Sequence, residues 1–147
     1  MLEVGDEIWI YYFAAPTELE TANPEYPKSA PTDWSVGLAK LPRDRFTSIN
    51  AGDQVGTLIT RPLDFEGPRL HVNAAVAEGG ELRVEVVTHD GKPIPGYSAN
   101  DCVPIKGDGI DLPISWNANA ELVGLADSRV RFRFQLRDAK LFSFWID

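Results

Sequence analysis

Three groups of residues in this chain are of types and spacings that could act on a ligand. The first are aromatic residues beside turns. A sugar ring has apolar C–H faces that stack on flat side chains, while its hydroxyls need polar partners nearby. Tyr26 and Trp34 sit in or beside a proline-rich stretch, and Tyr97 and Trp116 adjoin turns. These four are the candidate carbohydrate-binding residues. Tyr26, in "NPEYPKS", has the setting that most favours exposure, whereas Trp34 and Trp116 equally suit core or interface anchors. The second group is a row of arginines, Arg129, Arg131, Arg133 and Arg137. Like charges repeated on one strand face cost free energy unless acids stand opposite, and Glu85 on a neighbouring strand is such an acid. Otherwise Arg131, Arg133 and Arg137 would form a docking face for another domain or a site for an acidic sugar, because a planar guanidinium grips a carboxylate with two hydrogen bonds. The third group is Asp108 and Asp111 in "KGDGID". With backbone carbonyls they could hold a structural calcium ion, although their spacing is not that of an EF-hand and a solvated turn accounts for them as well.

Catalytic constellations are harder to find. Hydrolysis of a glycosidic bond needs two carboxylates about 5–9.5 Å apart across a sugar. The sequence has 22 Asp and Glu, but nothing in their spacing makes any two of them face each other. His71 and His89 stand at no catalytic spacing, and Cys102 is the only cysteine, so no internal disulfide forms and a buried, inert thiol is expected. There is no Cys/His metal spacing, no G-x-S-x-G elbow and no phosphate-cradling glycine loop. The formal net charge of −8 argues against a general affinity for nucleic acid or an anionic membrane. No stretch reaches the roughly 18 apolar residues that cross a bilayer, and no basic-then-apolar leader is visible.

The elements that must position these residues are strands. "EIWIYYF" (7–13) is aromatic and β-branched, and so continuously apolar that both faces should be covered. Pro16, Pro24, Pro27 and Pro31 then rule out a regular helix or a central strand across a long loop. "WSVGLAKL" (34–41) resumes a strand, with short strands after it in "RDRFTSI" and "TLITRPL". "LHVNAAV" (70–76) and "ELRVEVVTH" (81–89) alternate cleanly, and Gly79–Gly80 between them predicts a hairpin connection. "DGKPIPGYSANDCVPIKGDGIDLP" reads as turns, "ISWN" as a short strand and "AELVGLADSR" as at most one helical turn. "RVRFRFQLR" and "AKLFSFWI" close the chain as two strands about an Asp138–Ala139 turn. Roughly nine strands and no convincing helix predict an all-β, antiparallel, jelly-roll-like β-sandwich. An internal boundary falls near residue 50. Aromatic strands with open edges would favour a homodimer through those edges.

"GDEIWIYY", a long loop and "VGLAKLPRDRFTSINAG" together resemble the closing strands of a five-bladed β-propeller, as found in glycoside hydrolase family 32- and 43-like bacterial proteins. The remainder of the chain, with "GGELRVEV", "DGKPIPGYS" and "VRFRFQLRDAKLFSFWI", is similar to the C-terminal β-sandwich of those proteins. The resemblance covers almost the whole chain. It implies that residues 1–50 are the remnant of a last propeller blade and that 51–147 are the sandwich. It also implies a glycosidase-like parent whose catalytic carboxylates lie on an N-terminal propeller outside this sequence, and a secreted or periplasmic setting. The expected function is then a non-catalytic accessory module that braces the propeller and contacts carbohydrate. The alternatives are a stand-alone carbohydrate-binding module, which requires exposed coplanar aromatics, and a small complete glycosidase, which requires converging carboxylates with raised pKa.

Overall fold

The computed structural model describes residues 1–14, 35–117, 119–126 and 128–147. Tyr26 and Trp34 lie outside the described residues. The chain divides into two compact units, Met1–Arg43 and Asp44–Asp147. The division comes earlier than residue 50, because Ile49–Ala51 pairs with the last strand and so belongs to the second unit.

The first unit is a three-stranded antiparallel sheet in the order β1 (Leu2–Val4), β2 (Glu7–Ala14), β3 (Ser35–Pro42). A two-residue connection, Gly5–Asp6, joins β1 to β2. Gly5 takes a φ of +60° there, which the first position of a tight hairpin turn demands and a side chain resists. The register sets Leu2 against Trp9, Trp9 against Lys40, Tyr11 against Leu38 and Phe13 against Val36, so these residues share one face. The opposite face carries Ile8, Ile10 and Leu41. On it the Tyr12 ring lies over Gly37, where a Cβ would stand 2.3 Å from the ring.

The second unit is an antiparallel, sandwich-like fold of β4 (Ile49–Ala51), β5 (Gly56–Ile59), β6 (Leu70–Thr88), β7 (Gly107–Pro113) and β8 (Val130–Ile146). The sheet order is β4-β8-β6-β7, with β5 also on β8. Two expected turns are not turns. β6 runs through Gly79–Gly80 and β8 runs through Asp138–Ala139, and the two strands stay paired on both sides of that point. Val76 pairs with Ala139 and Glu81 with Arg137, so Ala77–Gly80 stand against Asp138 alone. Extra residues on one strand bend the ribbon and sharpen its twist. Gly79 and Asp138 both take left-handed φ values, 79° and 45°. Gly80 must be glycine because a Cβ would meet the carbonyl oxygens of Arg137 and Asp138 at 2.6 and 2.7 Å.

This corner creates the two layers. Phe134 and Phe144 are ten residues apart on β8, which would separate them by about 33 Å on a straight strand. Their ring centroids are 5.1 Å apart. The near leg (70–76 with 139–146) and the distal leg (81–88 with 130–137) therefore fold onto each other. Leu70, Val72 and Leu141 of one meet Leu82, Phe132 and Phe134 of the other in a single buried cluster. The described residues contain no helix; within "AELVGLADSR", Val123–Ala126 form a turn. Conversely β7 lies in a segment that reads as turns. "ISWN" contributes only isolated bridges from Trp116 to Cys102 and Asn119.

Candidate functional site

On the distal leg, the outer face is built by the alternation of β8 and β6. Inward Val130, Phe132, Phe134 and Leu136 leave Arg131, Arg133, Gln135 and Arg137 facing out. The register sets Glu81 against Arg137, Arg83 against Gln135, Glu85 against Arg133 and Val87 against Arg131. Arg133 forms an ion pair with the buried Glu85, and its other nitrogen donates to the Gly91 carbonyl. Arg137 Nη2 lies 3.3 Å from Glu81. Arg83 bonds Glu81 at 3.1 Å and the carbonyls of Ala99 and Cys102. Hydrogen bonding from Arg83, supported by Arg137, holds the Glu81 carboxyl below the usual glutamate range. Among the described residues Arg131 has no ion-pair partner, and its Nε is buried without a hydrogen bond.

Two of the expected sugar platforms need correction. Tyr97 and Trp116 are buried, 6% and 2% exposed, and pack edge to face with centroids 5.1 Å apart. The Tyr97 hydroxyl donates to the Glu121 carbonyl and the Trp116 indole to the Val84 carbonyl, both at 2.9 Å. Their rings hold the core together and present no face to solvent. Cys102 is buried as expected. It accepts from the Val84 amide, and burial pushes its thiol up from the ordinary value, which suppresses the nucleophilic thiolate.

Asp108 and Asp111 do not converge. Asp108 accepts from Arg45 Nη2 at 2.6 Å, and Arg45 also bonds Asn73 and stacks over Phe142. Asp111 Oδ1 lies 2.6 Å from His71 Nδ1. No group of three or more His, Cys, Asp and Glu among the described residues is arranged to hold a metal ion. His71 itself is a site residue that its sequence spacing did not reveal. Its ring stacks on Trp145 at 5.4 Å, and its Nε2 lies 3.2 Å from Asp147 Oδ1 without hydrogen-bond alignment. The signal was present in the strand pattern, since His71 is the outward residue of a well-alternating strand. Its partners lie 40 and 76 residues away in the chain, beyond the reach of a spacing argument. An Asp–His pair can orient a base, but among the described residues no hydroxyl or thiol accepts from or donates to this imidazole, so the arrangement lacks the nucleophile that such a base would activate.

In the first unit, the face defined by Leu2, Val4, Trp9, Tyr11, Phe13, Val36 and Leu38 is apolar and largely exposed. Tyr11 is 52%, Phe13 62% and Val36 71% exposed. One charged pair edges it. Lys40 Nζ sits 3.9 Å above the Trp9 ring and 3.5 Å from Glu7, and the Trp9 indole donates to Glu7 at 2.8 Å. That indole bond, together with Lys40, lowers the Glu7 carboxyl below its ordinary value. No family model matches the chain, and neither a curated protein nor a solved structure matches it.

Proposed function

We propose that the chain is a non-catalytic accessory module of a glycosidase-like protein, and that its N-terminal sheet is the part that engages the catalytic propeller. The observation that carries this reading is the exposed apolar face of β1–β3. A contiguous surface of Leu, Val, Tyr and Phe is far from the average composition of a solvated sheet and marks a place where another body docks.

The stand-alone carbohydrate-binding reading draws on the row Trp9, Tyr11, Phe13. Trp9 and Tyr11 meet edge to face, at 64° between ring planes, which does not make one flat shelf. Two measurements test the proposal. Sequencing upstream of Met1 is expected to find an open frame encoding propeller blades; an in-frame stop immediately upstream overturns it. The purified chain is expected to release no sugar from aryl glycosides or from arabinan, xylan and fructan. Turnover abolished by a single Asp or Glu substitution would restore the small-enzyme alternative.

A further inference from the structure

Residues 43–48 connect β3 to β4. Stretched out, the chain from Pro42 to Ile49 would span about 24 Å. Two arginines near its start are each tied to a different unit. The Arg43 amide donates to the Asp6 carbonyl at 2.8 Å, within the first unit. Arg45 is tied to the second. Its Nε donates to Asn73 Oδ1 at 2.8 Å, and its Nη2 donates to Asp108 Oδ1 at 2.6 Å and to the Ala74 carbonyl at 3.4 Å. Its Cζ lies 4.5 Å from the centroid of the Phe142 ring. These partners belong to β6, β7 and β8, which neighbour one another in the sheet.

The Arg45 side chain is 11% exposed, and Asn73 beneath it is 1% exposed. A guanidinium taken out of water is costly unless its donors are answered. Here a side-chain amide, a carboxylate and a backbone carbonyl answer Nε and Nη2, and an aromatic ring lies under the plane. Reaching the amide and the carboxylate at once takes the planar fork of arginine; lysine offers a single nitrogen. The consequence for the backbone is geometric. Asp44 is the one residue between the arginine tied to the first unit and the arginine tied to the second. From Arg43 to Arg45 the chain spans at most about 7 Å. Asp44 takes a φ of 59°, a left-handed conformation that Asp and Asn enter more readily than most side chains. We propose that Arg45 is a pin that confines the joint between the two units to Asp44. The sandwich then takes hold of the chain at β6, β7 and β8, four residues before β4 begins. Whatever body the first sheet engages, its free tether to the sandwich is one residue long.

The test is nitrogen-15 backbone relaxation of the full chain. In the parent, the amides from Arg45 to Ser48 should show order parameters of about 0.85, as in rigid backbone. Arg45→Gln should lower them, with Asp44, to less than about 0.6, while Ile49–Ala51 stay ordered through their pairing with β8. Asp108→Asn removes the charged partner on a side chain that is 65% exposed, and it should lower the same amides by a smaller amount. Arg69→Gln removes an equal charge from a surface arginine paired with Glu121, and it should leave them unchanged. Order parameters that do not fall in Arg45→Gln overturn the proposal. Values of less than about 0.6 from Phe46 to Ser48 in the parent also overturn it, because the joint would then be long with the pin in place. Loosening that spreads into Ile49–Ala51 assigns Arg45 to the integrity of the sheet and overturns the pin, as does equal loosening by Arg69→Gln. If Arg45→Gln does not fold, Asp108→Asn decides, and unchanged amides from Arg45 to Ser48 in that variant overturn the proposal.

Discussion

The two units are made from the same kinds of residue and dispose of them in opposite ways. β2 and β8 are both rich in aromatic and aliphatic side chains. In β8, Phe132 and Phe134 are fully buried and arginines alternate with them; in β2, Ile8 alone is buried, and Tyr11, Tyr12 and Phe13 are more than half exposed. The difference lies in what each strand folds against. β8 bends at Asp138 and packs one half of itself on the other, so the chain supplies its own second layer. β2 belongs to a short sheet without such a corner. A strand that alternates can complete a core with one covered face, whereas a strand apolar on both sides needs cover on both. The contrast teaches that β-branched and aromatic content gives a strand, and that charge alternation decides whether the strand is self-sufficient.

The contrast can be broken by mutation. Phe134→Ala should cost about 3–5 kcal/mol in urea unfolding of the full chain, since it removes a fully buried ring between the two layers; a cost near zero would mean that the layers do not depend on each other. Gly80→Ala comes next, at about 1–3 kcal/mol, because the new methyl meets two backbone oxygens at the corner. If it is neutral, the corner is not the tight feature described. Glu81→Gln sharpens the account of the outer face. At pH 7 it should cost up to about 1 kcal/mol, since the side chains are part-exposed. The folded-state carboxyl is lowered, so its contribution is present above the ordinary glutamate range and is lost as pH falls through the folded value. Parent and variant melting curves should therefore converge in acid, and a gap that persists or widens there refutes the Arg83 pairing. The smallest effect is expected in the first unit. Tyr11→Ser should move stability by no more than about 0.5 kcal/mol, while reducing any concentration-dependent association seen in sedimentation. A loss as large as that at Phe134 would mean Tyr11 is core after all.

Much of the fold was legible because it obeyed period two. Leu70, Val72, Ala74 and Val76, and likewise Val130, Phe132, Phe134 and Leu136, are buried as alternation requires. That Glu85 answers the arginine row was legible from the cost of unanswered charge; that its partner is Arg133 came from the register. The corner was not legible. Gly79–Gly80 and Asp138–Ala139 carry the residue types of a hairpin turn, and only the facing strand, continuous through the same point, makes them bulges instead. β7 was hidden because its glycines and prolines signal turns, while its pairing is imposed by the edge of β6. The aromatic sites were misread for a related reason. Trp116 and Tyr97 adjoin turns in sequence, but both reach a backbone carbonyl, Val84 and Glu121 respectively, that their polar ends satisfy. The local sequence gives no indication of which way a ring beside a turn will point.

The shared corner has a further consequence for how the sandwich comes apart. Two strands, not loops, carry the chain from one layer to the other, and they remain hydrogen-bonded to each other across the bend. Neither layer can peel away while its companion stays intact, since separation would tear the same two ribbons in half. Amides in the near and distal legs should therefore exchange with solvent at matching free energies, as a single cooperative block.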